Sequence, residues 1–117
     1  MFNQKPKSSD RYRWTMHIGR KMQYYGLTPS RVLRIVRAPE RTEDGVADGT
    51  IAGMQKSGTK AKPNEIWAMW RYEAPKSLLN KKTVIITAWR YPGVSPVRGK
   101  APIPSEILAE LESEGEA

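Results

Sequence analysis

His17 is the only histidine in a chain of 117 residues, and Arg20 and Lys21 follow it three and four positions on. On a helix those offsets make the three side chains neighbours. An imidazole titrates near neutral pH, so it can take or give a proton. Two cations beside it can hold a phosphate close. The trio suits metal-independent attack on a phosphodiester by a neighbouring hydroxyl, which needs a base, an acid and cations for the charge that develops. Arg71 and Arg90 lie on strand-like segments, and Tyr91 follows the second of these. They are expected to line a basic sheet face, with Trp67 or Trp89 stacking a nucleic-acid base.

The same residues admit plainer roles. A lone histidine early in a helix commonly caps the helix end or bonds a strand carbonyl. Arg31, Arg34 and Arg37 recur every three residues and read as the solvated side of an amphipathic helix. Trp14, Trp70 and one of Trp67 or Trp89 are expected to fill the core of so small a domain. The sequence has no paired carboxylates, Gly-rich phosphate loop or metal-ligand cluster, which disfavours glycosidase, nucleotide-binding and metalloenzyme readings. Cysteine is absent, so disulfides and thiolate chemistry are excluded. No metal or other cofactor is expected.

Charge is placed unevenly. The chain has 20 Lys+Arg and 12 Asp+Glu, a net of +8. Five of the acidic residues (Glu106, Glu110, Glu112, Glu114 and Glu116) lie after Ile103, where there is no basic residue. The first 103 residues hold all 20 basic and the other 7 acidic residues, a net of +13. The chain thus reads as a basic domain with an acidic tail, suited to RNA, DNA or an acidic protein. No apolar run approaches the roughly 20 residues of a membrane span, and the N-terminus lacks the apolar core of a signal peptide. A soluble, cytoplasmic protein with no membrane partner is expected.

The elements that position these residues follow from patterning. Thr15, or Asp10 if the helix starts earlier, can cap a first helix with Ile18, Met22 and Tyr25 on one stripe, and Gly26 can end it. Thr28-Pro29 opens a second helix with Val32, Ile35 and Val36 inward, and Ala38-Pro39 closes it. The two dipeptides Asp44-Gly45 and Asp48-Gly49 mark turns. "TIAGMQK", "EIWAMWRY" and "TVIITAWR" read as strands, with a further short strand allowed near 40–46. "PKSLLNKK" is expected to be a loop. The fold class is therefore α+β: two N-terminal helices packed on a three- to four-stranded antiparallel sheet, plus a short C-terminal helix. Residues 1–9 are expected to be disordered, 10–91 to form the domain, 92–103 to be a Pro-rich extended segment, and 104–117 to be an acidic helix or tail.

The run from Trp14 to Val32 resembles the opening of the RelE/ParE toxin superfamily. The likeness rests on His17, Lys21-Met22, Gly26-Leu27-Thr28 and Val32, then on Pro39 and the strand "TAWR", and it covers residues 12–91. It is nearest to an uncharacterised branch similar to the BrnT toxins. The resemblance implies a toxin-like RNA-binding protein, a metal-independent endoribonuclease that acts on mRNA, often at the ribosome, with an antitoxin-like protein partner. The ParE type acts on gyrase instead. In that reading His17 is the acid/base, Arg20, Lys21, Arg71 and Arg90 bind phosphate, and Trp89 and Tyr91 complete the face. The alternative is a non-catalytic basic module on the same fold, for nucleic acid or a protein partner. Two features depart from the family pattern: the long stretch Thr42–Lys62 and the acidic tail. Charge complementarity allows that tail to fold back over the basic face, or simply to pack on the sheet edge.

Overall fold

Residues 6–9, 11–73, 82–97 and 100–115 are described by the structure, a computed structural model. The elements in order are β1 (Tyr12–Trp14), α1 (Met16–Tyr25), α2 (Pro29–Arg37), β2 (Arg41–Asp44), β3 (Thr50–Gly58), β4 (Pro63–Tyr72), β5 (Thr83–Pro92) and α3 (Ser105–Ser113). The α+β class is as expected, but the sheet is larger and mixed. It has five strands in the order β1-β5-β4-β3-β2. β1 runs parallel to β5, and the other pairs are antiparallel. Three residues carry no readable period, and β1 depends on a partner at the far end of the domain, so local pattern does not reveal it. β2 is the short strand allowed near 40–46.

Local chemistry sets the helical hairpin. The Thr15 hydroxyl accepts from the Ile18 amide at 3.2 Å, and the Thr28 hydroxyl accepts from the Arg31 amide at 3.1 Å. Both satisfy amide donors that a helix start leaves free. Gly26 ends α1 at φ +68°, a left-handed conformation that costs a residue with a Cβ. Asp10, the alternative cap, lies outside the described residues. So do residues 75–81 of the expected loop and residues 1–5 of the segment expected to be disordered.

The sheet is covered on both faces. On one, Ile18, Met22, Val32 and Ile35 of the helical hairpin pack on Ile66, Trp70 and Ile85. On the other, Ile107 and Leu111 of α3 pack with Met54, Trp67, Ile86 and Trp89. Ile107 and Leu111 are fully buried, worth about 1.5–3 kcal/mol each. All four tryptophans are buried, where the sequence placed only three in the core. Among the described residues, no helix is long and apolar enough to cross a membrane.

One irregularity shapes the edge of the sheet. Met69 pairs with Thr87 while Trp70 pairs with Ile85, so Ile86 is an extra residue in β5. Ile86 belongs to the α3-side core, and Thr87 lies opposite Met69 of that same core. The bulge therefore turns two successive side chains to one face. β1 covers β5 only from Thr83 to Ile85. Beyond it the first turn of α1 takes over the edge, and the Thr15 hydroxyl donates to the Ile86 carbonyl at 2.7 Å.

Candidate functional site

His17 sits where that edge is handed over. Its ring is 1% exposed, and Nε2 lies 2.8 Å from the Thr87 hydroxyl that the bulge turns toward α3. Its Nδ1 faces α3, 3.6 Å from a Glu110 oxygen and 3.5 Å from a Glu114 oxygen, Glu114 being the C-cap of that helix. Neither contact has hydrogen-bond geometry. The two cations that follow His17 meet the same carboxylates. Arg20 donates to Glu114 at 2.9 Å, and Lys21 pairs with Glu110 at 2.8 Å. The structure thus keeps His17, Arg20 and Lys21 together; the acidic helix covers His17 and pairs with the two cations.

The surroundings of the ring favour one tautomer. A bare lone pair on Nδ1 would face two carboxylates, so the proton belongs on Nδ1, and Nε2 accepts from the Thr87 hydroxyl. Burial holds the imidazole below its ordinary value, more than Glu114 and Glu110 raise it; Lys21 adds to the lowering. The Lys21 hydrogen bond holds the Glu110 carboxyl below the usual range.

Arg71 and Arg90 do not share a face with each other. The register partner of Arg71 is Val84, in the α3-side core; that of Arg90 is Ile66, in the helix-side core. Directly opposed residues in an antiparallel pair project to the same side. Arg71 and Arg90 therefore project to opposite faces and stand near opposite ends of the strand pair, which corrects the expected common basic face. Trp89 is fully buried and stacked on Trp67, with ring centroids 5.8 Å apart, so it offers no free face to a base. Tyr91 is half-buried and packs against the α3-side core.

A second cluster escaped the sequence reading. The half-buried Arg90 donates to the Asn64 side-chain oxygen at 3.1 Å and to the Tyr25 carbonyl at 3.2 Å, which caps α1. The half-buried Arg31 donates to the Gln55 side-chain oxygen. Gln55 in turn donates to the Arg34 and Ala38 carbonyls at 3.2 and 2.9 Å, tying the end of α2 to β3. Burial, then the charges of Arg34 and Arg90, hold the Arg31 guanidinium below its usual range; Glu40 opposes them. The ion pairs among the described residues engage Arg13, His17, Arg20, Lys21 and Arg41, but none of Arg31, Arg34 or Arg90. Neutral amide oxygens thus orient the Arg31 and Arg90 guanidiniums without cancelling their charge. The arginine repeat of α2 was visible in the sequence. Its meeting with Arg90 depends on a strand more than fifty residues away.

A cavity of about 550 Å³ lies between the Asp44–Val46 turn and α3, lined by Lys100, Ile103, Leu108 and Glu112 among others. None of His17, Arg20, Lys21, Arg31, Arg34, Arg71 or Arg90 lines it. Among the described residues, no group of three His, Cys, Asp or Glu side chains is arranged to hold a metal ion. Compared with family models, curated proteins and solved structures, the chain matches none of them.

Proposed function

We propose that this protein is a basic binding module for RNA and that the face built by Arg31, Arg34 and Arg90 takes the phosphate backbone. The carrying observation is that two of these guanidiniums, Arg31 and Arg90, are half-buried, oriented by Gln55 and Asn64, and make no ion pair among the described residues. Gathering like charge has a folding cost that a polyanion would offset. RNA rather than another polyanion is the choice the RelE/ParE resemblance favours. An antitoxin-like acidic protein would compete for the same cations.

The test is binding of fluorescently labelled oligouridylate across a salt series. The double variant Arg31→Gln/Arg34→Gln should bind more weakly, with its log–log salt slope shallower by about 1.4, as expected for two lost contacts to a single strand. Arg90 is left in place because it also caps α1. An unchanged affinity and slope would remove this face from the reading.

A second reading, metal-independent RNA cleavage, is favoured by one observation: His17, Arg20 and Lys21 remain one cluster in space. That chemistry needs α3 to move, since His17 is buried beneath its carboxylates.

A further inference from the structure

We propose that His17, Arg20 and Lys21 form a second anion-binding site for RNA phosphate, and that α3 fills it with its own carboxylates. It extends the RNA-binding reading to a separate place, so the two can fail independently.

Three observations carry it. First, the match is residue by residue. Glu110 and Glu114 are one helical turn apart, and each takes one of two adjacent cations while both face His17 Nδ1. A pair of anionic oxygens against a cation pair and an imidazole N–H is the arrangement a phosphate would replace.

Second, α3 is poorly made as a helix in its own right. It has nine residues, too few to be stable alone. Pro104 at its N-cap provides no side-chain hydrogen bond, and its last turn has no basic residue. Glu110, Glu112 and Glu114 instead crowd its C-terminal end, where the helix dipole is negative and carboxylates are disfavoured. Arg20 and Lys21 offset that repulsion. A polyanion that captured these two cations would therefore also weaken α3.

Third, the grip on the sheet is short. Ile107 and Leu111 are the fully buried side chains of α3, and Leu108 is half-buried. Release uncovers Met54, Trp67, Ile86 and Trp89 on that face of the sheet and leaves the separate helix-side core in place.

The experiment compares two double variants with the same change in net charge. Glu110→Gln/Glu114→Gln removes the carboxylates over the site. Glu106→Gln/Glu112→Gln removes two from the same helix that make none of the ion pairs with Arg20 or Lys21. Oligouridylate binding is followed across a salt series. The first variant should bind tighter than the second, with a salt slope steeper by about 1.4 for two freed phosphate contacts to a single strand. Equal affinities and slopes, or no binding by either, overturn the proposal. A gain that persists in an Arg31→Gln/Arg34→Gln background separates this site from the α2 face.

Discussion

Lys21 Nζ lies 2.8 Å from Glu110 Oε1, tying the first helix to the last across the edge of β5 that β1 leaves uncovered. The Lys21 side chain is 12% exposed and that of Glu110 is 40% exposed. The pair is therefore better shielded than an open surface contact, yet not desolvated. A double-mutant cycle with Lys21→Met and Glu110→Gln, read by urea unfolding, should give a coupling of about 0.5–1 kcal/mol, falling with added salt. A coupling near zero would mean that this pair adds nothing to the hold that Ile107, Leu111 and the Arg20–Glu114 pair keep on α3.

His17 makes stability depend on pH with a definite sign. Its folded value is lowered from the ordinary 6.5, mainly by burial, with Glu114, Glu110 and Lys21 as its charged neighbours. The unfolded chain then binds a proton that the native state resists, so stability falls as pH drops below about 6.5 and levels off at the folded value. Glu110 is lowered from 4.5, mainly by its Lys21 hydrogen bond, so the stability it contributes is lost further down. The two losses have the same sign and follow one another. Thermal unfolding of His17→Gln should lose the first and keep the second. If the variant shows the wild-type drop just below about pH 6.5, another group carries it.

The hairpin of α1 and α2 was legible because its signals are local: Thr15, Gly26, Thr28 and Pro29 each act on the turn they occupy. The three long strands were legible from their apolar patterning. What lay beyond reach depends on register. Arg71 and Arg90 both sit on strands with a period of two, but which face each takes is decided by their pairing with Val84 and Ile66. The bulge that delivers Thr87 to His17 has no sequence mark of its own. The meeting of His17 with Glu110 and Glu114 was legible only as a charge imbalance, without a geometry.

Glu65 was also missed, because a glutamate in "NEIWAMW" reads as a strand-end surface residue. It is 2% exposed and accepts from Trp67 Nε1 at 3.0 Å, the Ser95 amide at 3.0 Å and the Ser95 hydroxyl at 2.5 Å. It pins the segment after β5 to the sheet beside Arg41, whose guanidinium lies 5.0 Å from the Trp67 ring centroid. Glu65→Ala leaves buried donors without an acceptor and should cost about 3 kcal/mol in urea unfolding. Glu65→Gln keeps the shape and one acceptor oxygen, and should cost less. Equal costs would point to packing rather than hydrogen bonding.

The cleavage reading has a sharp consequence because α3 covers His17. Phosphodiester attack needs the imidazole within hydrogen-bond reach of the reacting hydroxyl, and a ring 1% exposed cannot reach it. Wild-type protein incubated with mRNA in EDTA should therefore cleave slowly, and Glu110→Gln/Glu114→Gln should cleave faster. Adding His17→Ala to that double variant should abolish the gain, whereas Arg20→Ala should weaken it through loss of a phosphate contact. A His17→Ala triple variant that cleaves as fast as the double would remove His17 from the chemistry. If the double variant binds RNA tightly yet leaves it intact, the site serves binding alone.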